Sequence, residues 1–322
     1  MTDERTLADV GEFALIDRIV GSGENLGSLV ELGPGDDAAV LAAPDGRVVA
    51  CVDVLVEGRH FRRDWSTAID IGRRAAAASL SDVNAMGATS TSLLVGLAAP
   101  ADLPASWAVE AAAGIKEEAA SAGAVLVGGD TTEGDVITLS VTALGDLAGR
   151  APVTRSGAQV GDRIAVCGRL GWAGAGLAVL GRGFRSPKVL VDAYRFPVID
   201  YTAGPRASDA GAHAMIDVSD GLVADLAHIA EASGVSIDIE SESLEVPEPL
   251  QAAASAYNVD PRIWMLTGGD DHALVACFGP DAALPEGFVV IGSVAECADG
   301  APVVTVDGAE LEQPGGFTHF SR

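Results

Sequence analysis

The sequence predicts an α/β protein with mixed sheets and two domains. Apolar runs typical of strands alternate with Ala-rich or amphipathic stretches typical of helices, and this happens in both halves of the 322-residue chain. Residues 149–161 (GRAPVTRSGAQVG) are rich in Gly and Pro, lack periodicity and separate the halves. The length is typical of about two domains. We therefore expect one α/β domain over residues 1–148 and a second over residues 149–322.

Periodicity and end signals place the elements of the first domain. In the stretch 136–144, Ile137 and Leu139 fall on one face and hydroxyl side chains on the other, which is typical of a half-buried strand. Ser106 is the candidate N-cap of a helix that ends before Gly123. We expect strands over 48–54, 92–98, 124–127 and 136–144, and helices over 68–86 and 106–122.

The second domain repeats this order of elements. Leu222 and Leu226 lie on the apolar face of a helix that follows a short strand. Asp307-Gly308 marks the turn of a hairpin over 303–311. Further strands are expected over 163–167, 215–218, 235–239, 273–278 and 288–294, with a helix over 172–180.

The composition argues against several classes of protein. The net charge of −26 comes without a basic patch, which disfavours a nucleic-acid partner. The first 20 residues are acidic where a signal peptide is basic, and no apolar run approaches the ~18 residues of a membrane span. The four cysteines show no CxxC spacing, so free thiols are expected rather than a zinc site or disulfides. We expect a soluble, cytoplasmic protein.

Several common catalytic and nucleotide-binding motifs are missing. The two lysines, Lys116 and Lys188, lie outside any GK[ST] sequence, so the chain has no P-loop. It has no GxSxG, no HExxH and no GxGxxG at a helix start. If the protein handles nucleotides, we expect it to do so through metal-bridged phosphates.

Six short segments put an aspartate at or beside the end of an apolar run, usually next to glycine. Carboxylates are the hard oxygen ligands that Mg²⁺ prefers, and glycine lets backbone N–H groups approach a phosphate. We therefore expect folding to gather the segments around one metal–polyphosphate site. The segments are GPGDD (33–37), VDVLVEGRHF (52–61), SLSDVNAMGA (79–88), GGDTT (128–132), IDVSDGL (216–222) and GGDDHAL (268–274).

The strongest individual signals are Asp53 and the pair formed by Asp217 and Asp220. Asp53 interrupts an apolar strand, where a charge is costly unless it is paired or coordinated. Asp217 and Asp220 flank a strand-to-helix turn, and the new helix N-terminus would favour a phosphate there. The alternative is structural, with Ser219 or Asp220 capping the helix. Asp130 follows two glycines, which resembles a turn that approaches a phosphate.

Taken in order, these motifs resemble the thiamine-monophosphate kinase family, within the aminoimidazole-ribonucleotide-synthetase-like superfamily. The resemblance runs from GEFALIDRI (11–19) to GGFTHF (315–320) and includes TRSGA (154–158). It implies an N-terminal α/β domain whose strands join a partner's in a dimeric β-barrel core, and a C-terminal α/β domain. It also implies Mg²⁺-dependent phosphorylation of thiamine monophosphate to thiamine diphosphate, by direct in-line transfer from ATP.

The site residues carried over by motif fall into three groups. Several Mg²⁺ ions would be held by Asp37, Asp53, Asp82, Asp130, Asp217 and Asp220. ATP would contact Gly129, Asp130, Arg155 and Ser219, and thiamine phosphate would face His60, Asp270 and Phe317. From the residues alone, a lone histidine such as His60 is more often a surface residue, and Arg155 could be a solvated side chain. No general base is expected, because the acceptor is already a phosphate monoester.

The chain departs from the family pattern at three places. Its last acidic motif has Asp270 where the family usually has Glu. Ser79 stands where Asn is common, and Cys51 and Val52 replace Ser or Thr before Asp53. Cys51 and Val52 are therefore not assigned as metal contacts.

Other functions stay open as alternatives. Another ATP-dependent synthetase of the superfamily fits the same motifs. Selenophosphate synthetases and hydrogenase-maturation factors usually need a reactive Cys that neither the N-terminal loop nor the tail, GGFTHFSR, carries. A two-metal phosphohydrolase would also use clustered Asp, and a non-enzymatic Mg²⁺- or nucleotide-binding module would bind ATP without turnover.

Overall fold

The computed structural model describes residues 5–20, 26–34, 38–297, 300–311 and 315–317. The chain folds into two compact units: Met1–Val83 with Thr89–Gly149, and Asn84–Ala88 with Arg150–Arg322. Both units combine helices with β-sheets, which confirms the mixed α/β architecture expected from the sequence. None of the helices in the described ranges combines the length and the apolar surface that crossing a bilayer requires.

The first unit holds four helices and six strands among its described residues. The helices are α1 (Leu7–Val10), α2 (Glu12–Val20), α3 (Ala68–Ala85) and α4 (Ala105–Ser121). The strands are β1 (Val30–Leu32), β2 (Val40–Leu41), β3 (Val49–Val56), β4 (Thr89–Ala99), β5 (Val125–Glu133) and β6 (Thr138–Asp146). Strands β1 and β2 pair with each other. The larger sheet has the order β3-β6-β4-β5, in which β4 and β5 are parallel and the other neighbours antiparallel.

This four-stranded sheet has one covered and one uncovered face. Leu139 and Val141 on β6 are buried, which confirms the alternation expected for that strand. On the opposite face, Val52, Val54 and Leu94 are 59%, 48% and 36% exposed. Because side chains alternate between faces along a strand, the register assigns each residue of the sheet to one face.

Helices α3 and α4 approach each other closely at a pair of glycines. A Cβ on Gly72 would lie 1.9 Å from the carbonyl O of Ala111, and one on Gly114 would lie 2.1 Å from that of Ile69. Only glycine permits this approach, because it has no Cβ. The contact helps to fix α3, the helix that carries Asp82.

Two local predictions for the first unit are wrong. Helix α4 begins at Ala105 with Pro104 as its N-cap, so Ser106 lies inside the helix and does not cap it. Strand β5 continues through residues 128–130 instead of ending before them. The GGDTT segment is therefore part of a sheet and not a turn.

The second unit holds six α-helices and six strands among its described residues. The helices are α5 (Trp172–Gly181), α6 (Lys188–Arg195), α7 (Ala203–Asp209), α8 (Leu222–Ser233), α9 (Glu248–Tyr257) and α10 (Pro261–Thr267), with a 3₁₀ turn over Ser241–Ser243. The strands are β7 (Arg163–Cys167), β8 (Ala214–Asp217), β9 (Ser236–Ile239), β10 (Leu274–Phe278), β11 (Phe288–Ala295) and β12 (Val304–Val306).

The strands of the second unit form one sheet in the order β12-β9-β11-β7-β10-β8. Strands β12 and β9 are parallel, and the other neighbours are antiparallel. The core beside this sheet includes Phe278 and Phe288, whose rings meet edge-on with centroids 5.4 Å apart. Asp217 at the end of β8 pairs with Leu274 at the start of β10. The loop after β8 therefore lies beside the loop before β10.

Two predictions for the second unit are confirmed. Leu222 and Leu226 on α8 are fully buried. The hairpin after β12 turns at Asp307 and Gly308, whose φ angles of 51° and 76° are those of a left-handed turn.

Candidate active site

The first unit brings two predicted metal ligands together. Ligand atoms of Cys51, Asp53 and Asp82 lie within 4.8 Å of one another, where β3 passes the C-terminal half of α3. We call this group the first-unit acidic cluster. Ser79 Oγ on α3 lies 2.8 Å from Asp53 Oδ2 and 2.9 Å from the carbonyl O of Val141. These contacts tie α3 to the sheet and set the distance between the two carboxylates.

The donor set of this cluster suits a hard divalent cation. Two carboxylates at this distance repel each other unless a cation or a proton lies between them. The Cys51 thiol donates a hydrogen bond to the carbonyl O of Ser79 at 3.1 Å. Burial, assisted by the charges of Asp82 and Asp53, raises the pKa of this thiol far above its usual range. The thiol is protonated at neutral pH, so the donors are carboxylate oxygens, which Mg²⁺ prefers.

Asp130 does not join this cluster within the chain. In the sheet register, Asp53 is in line with Val141 and Gly129, whereas Asp130 is in line with Val54. Asp53 and Asp130 therefore lie on opposite edge strands and point to opposite faces of the sheet. The Asp130 side chain is exposed on the uncovered face.

The structure gives local contacts for two of the remaining predicted residues, His60 and Arg155. Asp37 lies outside the described residues. His60 is half-buried, and its Nδ1 accepts a hydrogen bond from the backbone N–H of Val56 at 2.9 Å, which fixes the ring at the end of β3. Arg155 is exposed, and its carbonyl O accepts a hydrogen bond from Ser233 Oγ at 3.0 Å.

The second unit gathers four predicted residues around the loop that follows β8. The backbone N–H of Asp270 donates to the carbonyl O of Ser219 at 2.8 Å. The backbone N–H of Phe317 donates to the carbonyl O of Asp220 at 3.0 Å. Three segments that are distant in the sequence thus meet at residues 219–220. The side chain of Phe317 is 60% exposed, so an aromatic face is available at this place.

The backbone of the GGDDHAL segment adopts unusual conformations to make these contacts. A Cβ on Gly269 would lie 2.2 Å from the carbonyl O of Ser219, so this position requires glycine. Asp270 and His272 have φ angles of 64° and 51°, in the left-handed region. Non-glycine residues in such conformations cost about 1–3 kcal/mol each and concentrate at functional sites.

Asp217 is oriented by a histidine from the same segment. The Asp217 side chain is buried at the end of β8, and its Oδ2 lies 2.9 Å from His272 Nδ1. This contact fixes the carboxylate beside the loop that carries Asp220. The sequence reasoning did not single out His272, because a histidine after two aspartates has no distinctive spacing.

Asp225 is a site residue that the sequence reasoning missed. Its Oδ2 accepts hydrogen bonds from the backbone N–H groups of Ser219, Asp220 and Gly221 at 3.0, 3.1 and 3.0 Å. Burial raises the pKa of Asp225 to about 7, although the bond from Gly221 acts in the opposite direction. In this structure the three N–H groups at the start of α8 are occupied by this carboxylate. Gly221 is the N-cap of α8, so neither Ser219 nor Asp220 caps the helix.

Asp271 is a second buried carboxylate behind the same loops. Its Oδ1 accepts a hydrogen bond from the backbone N–H of Ala173, in the first turn of α5, at 2.8 Å. Its Oδ2 is buried and has no hydrogen-bond partner among the described residues. Burial raises the pKa of Asp271 to about 7. The sequence shows this residue only as the second acid of GGDD, and its neighbour on α5 is almost 100 positions away.

Comparison with known families places both halves of the chain. The family models of the AIR synthase related protein match residues 35–147 with the N-terminal domain and residues 159–298 with the C-terminal domain. The thiamine-monophosphate kinase of Mycobacterium tuberculosis is 49% identical over 323 residues, covering 100% of this chain and 95% of that protein. The thiamine-monophosphate kinase of Corynebacterium glutamicum is 40% identical, covering 95% and 92%.

Solved structures that resemble this chain point to the same family. AaThiL complexed with AMPPCP and TMP matches with a TM-score of 0.79 and 30% identity, covering 98% of this chain and 99% of that one. Hydrogenase maturation protein HypE in complex with ATP matches with a TM-score of 0.69 and 20% identity, covering 95% and 94%, a likeness of fold alone. Given 49% identity along its whole length, the chain belongs to the thiamine-monophosphate kinase family.

Proposed function

We propose that the chain transfers the γ-phosphoryl group of ATP to thiamine monophosphate, forming thiamine diphosphate and ADP. The observation that carries this function is the 49% identity with the M. tuberculosis thiamine-monophosphate kinase across the full chain. A relative of the same fold, AaThiL, holds AMPPCP and TMP. The activity is that of a thiamine-phosphate kinase in thiamine diphosphate biosynthesis.

In this proposal, aspartates of each unit act as ligands of Mg²⁺. When bound, Mg²⁺ would neutralise the phosphate oxygens and align the transferring group. The first-unit acidic cluster supplies Asp53 and Asp82, whose oxygens are already close. In the second unit, the orientation of Asp217 by His272 supports the same role. The proposed ligands are Asp37, Asp53, Asp82, Asp130, Asp217 and Asp220.

The remaining predicted residues bind the two substrates in this proposal. Their side chains match the chemistry required: an exposed guanidinium at Arg155 for a phosphate, and an exposed ring at Phe317 for an apolar part of thiamine phosphate. The proposed ATP contacts are Gly129, Asp130, Arg155 and Ser219, and the proposed thiamine phosphate contacts are His60, Asp270 and Phe317. No side chain is assigned as a general base, and the phosphate acceptor attacks in line.

We also propose a cytoplasmic homodimer formed through the sheet of the first unit. The uncovered face carries exposed apolar side chains at Val52, Val54 and Leu94, which a second copy would bury. Asp130 lies on that same face, so it would be near the subunit contact. All four cysteines are free thiols, which suits a reducing compartment.

Product analysis tests the proposed reaction. Purified protein is incubated with MgATP, with and without thiamine monophosphate. Thiamine diphosphate and ADP are expected in equal amounts, and only when both substrates are present. ADP and free phosphate formed without an acceptor would instead indicate a hydrolase, or a synthetase whose substrate is another metabolite. Binding of MgATP without any product would indicate a binding module.

A further inference from the structure

The loop between β8 and α8 is closed around an internal carboxyl group, that of Asp225. Three successive backbone N–H groups, those of Ser219, Asp220 and Gly221, point at a single oxygen, Oδ2 of Asp225. Such a concave arrangement of N–H groups is an anion-binding nest, and in phosphate-binding loops it faces the ligand. Here the occupant is the protein's own carboxylate, and its side chain is buried, with residue exposure of 2%.

The backbone of this loop makes its other polar contacts within the protein as well. The carbonyl O atoms of Ser219 and Asp220 accept from the N–H groups of Asp270 and Phe317. The N–H of Asp225 itself donates to the carbonyl O of Gly221 at 2.9 Å. Both backbone groups of Ser219 and of Asp220 are therefore used internally. Their N–H groups are therefore not available to a ligand, whereas their side chains are not part of this backbone network.

The carboxyl group of Asp225 also affects what kind of ligand the loop can meet, because it occupies the N–H groups at the start of α8. An anion at the start of α8 offsets the positive end of the helix dipole, which would otherwise attract phosphate. Asp217 and Asp220 add further negative charge to the same place. A polyphosphate is repelled from this loop unless a cation lies between them.

We propose that Asp225 is a positioning residue that fills the anion nest of this loop, so that the loop meets ATP through the Asp220 carboxylate and the Ser219 hydroxyl instead of its N–H groups. The inference rests on the proposed roles of Ser219 and Asp220 in ATP and Mg²⁺ binding. Asp225 touches neither substrate in this arrangement. It sets the direction in which the two side chains leave the loop and excludes free phosphate from the nest.

Removal of the carboxylate is expected to weaken metal-dependent ATP binding more than the chemical step. In Asp225→Ala, the three N–H groups lose their acceptor and the loop loses its fixed shape. The Mg²⁺ concentration that gives half-maximal turnover is expected to rise roughly ten- to hundredfold, as is typical when groups that orient metal ligands are removed. The KM for ATP rises with it, and kcat at saturating Mg²⁺ changes less. Formate, which can enter the vacated nest, restores at least part of the loss.

The experiment compares the wild type with Asp225→Ala, Asp225→Asn and a matched control, Asp162→Asn. Asp162 is a carboxylate of the same unit with 1% exposure that also accepts a backbone N–H bond, from Gln159 at 2.8 Å, outside the loops of the site. For each protein, kcat and KM for ATP are measured across a Mg²⁺ titration, with sodium formate or sodium chloride at equal ionic strength. Melting curves verify folding.

The proposal predicts a higher Mg²⁺ requirement for Asp225→Ala and a smaller increase for Asp225→Asn, which keeps an acceptor oxygen. It also predicts rescue of Asp225→Ala by formate but not by chloride, and a wild-type Mg²⁺ requirement for Asp162→Asn. The proposal is overturned if the Asp225 variants lose only thermal stability, as the control does, or if formate gives no recovery. If Asp225→Ala does not fold, Asp225→Asn serves as the test. A raised Mg²⁺ requirement and a raised KM for ATP, with a smaller change in kcat, support the proposal, and unchanged values overturn it.

A separate variant distinguishes failure of this inference from failure of the proposed function. Asp220→Asn is measured under the same Mg²⁺ titration. An unchanged Mg²⁺ requirement in Asp220→Asn would refute the metal role of Asp220. The Asp225 result would still decide whether the loop depends on its internal anion, because the KM for ATP also reports the position of Ser219.

Discussion

At the scale of single residues, the candidate site includes two acidic side chains that the first unit holds close together. In the first-unit acidic cluster, Asp53 and Asp82 have oxygens within 4.8 Å. Two charges at that distance repel by about 3 kcal/mol at an effective dielectric constant near 20. Ser79 reduces this cost by contacting Asp53, but it cannot neutralise two charges. A divalent cation can.

Asp53→Asn is therefore expected to raise the melting temperature of the metal-free protein, because it removes one of the two charges and keeps an oxygen beside Ser79. It is also expected to reduce the further rise that Mg²⁺ causes. Differential scanning fluorimetry over a Mg²⁺ titration, with EDTA as the starting point, measures both effects. Asp135→Asn, at an exposed position of the same unit, serves as the control. A full wild-type Mg²⁺ response in Asp53→Asn would contradict this account.

The raised pKa of Asp271 predicts that the stability of the protein depends on pH. Its pKa is about 7 in the folded protein and near 3.8 in the unfolded chain, because burial disfavours the charged form. Between these values the folded state binds the proton more tightly, so stability falls as pH rises from about 4 to 7. Asp271→Asn has no carboxyl group to titrate. Its free energy of unfolding, relative to that of the wild type, is therefore expected to be higher at pH 8 than at pH 5. Urea unfolding at both pH values tests this, and a pH-independent difference would refute it.

The site residues that could be recognised from the sequence differ physically from those that could not. Asp53 could be recognised because a charge inside an apolar strand is costly and demands a partner. Asp225 could not, because an acidic residue in the first turns of a helix is common and has an ordinary reason, the helix dipole. Its true contacts are backbone N–H groups, and a sequence does not show where these point.

At the scale of elements, a glycine in the sequence can indicate either a turn or close packing of neighbouring strands, and the sequence alone does not distinguish the two. The glycines of GGDTT suggested a turn, but they lie within β5. A Cβ on Gly129 would lie 2.1 Å from the carbonyl O of Val95 on β4, so glycine is needed there for close strand packing. The strands and helices themselves follow from periodicity, because burial of one face determines it. Which strands become neighbours depends on tertiary contacts.

The close approach of α3 and α4 at Gly72 and Gly114 predicts that a side chain added at this contact lowers the stability of the protein. Gly72→Ala puts a methyl group 1.9 Å from the carbonyl O of Ala111, so the helices must separate. We expect a loss of about 1–3 kcal/mol in the free energy of unfolding, typical of overpacking. Gly181→Ala on α5, where a Cβ meets nothing within 4 Å, is the matched control and should be neutral or stabilising. Equal stability of Gly72→Ala and the control would show that the two helices do not need their close approach.

At the scale of the whole molecule, the four-stranded sheet of the first unit has an apolar face that the described part of the chain leaves exposed. Val52, Val54 and Leu94 are exposed there, and β3 and β5 are both edge strands. Exposed apolar faces and open edges favour association. The residues alone do not reveal this feature, because Val52 and Val54 look like ordinary buried strand residues, and the expectation of a dimer came from the family resemblance.

Val54→Asp is expected to convert the proposed homodimer into a monomer, because a charge on that face cannot be buried against a second copy. Light scattering after size-exclusion chromatography measures the mass. Val160→Asp, at a position that is 55% exposed in the second unit, should leave the dimer intact. A wild-type protein that is already monomeric at micromolar concentration would refute the proposal.

We propose that aspartates of both units act through Mg²⁺ in phosphoryl transfer to thiamine monophosphate. The most direct test is the rate of thiamine diphosphate formation as a function of Mg²⁺ for the wild type, Asp53→Asn, Asp220→Asn and the control Asp162→Asn. The account predicts that each site variant loses roughly 10²- to 10³-fold in kcat/KM, as expected when a charge-stabilising group is removed, while the control does not. Wild-type rates and Mg²⁺ requirements in both site variants would contradict it.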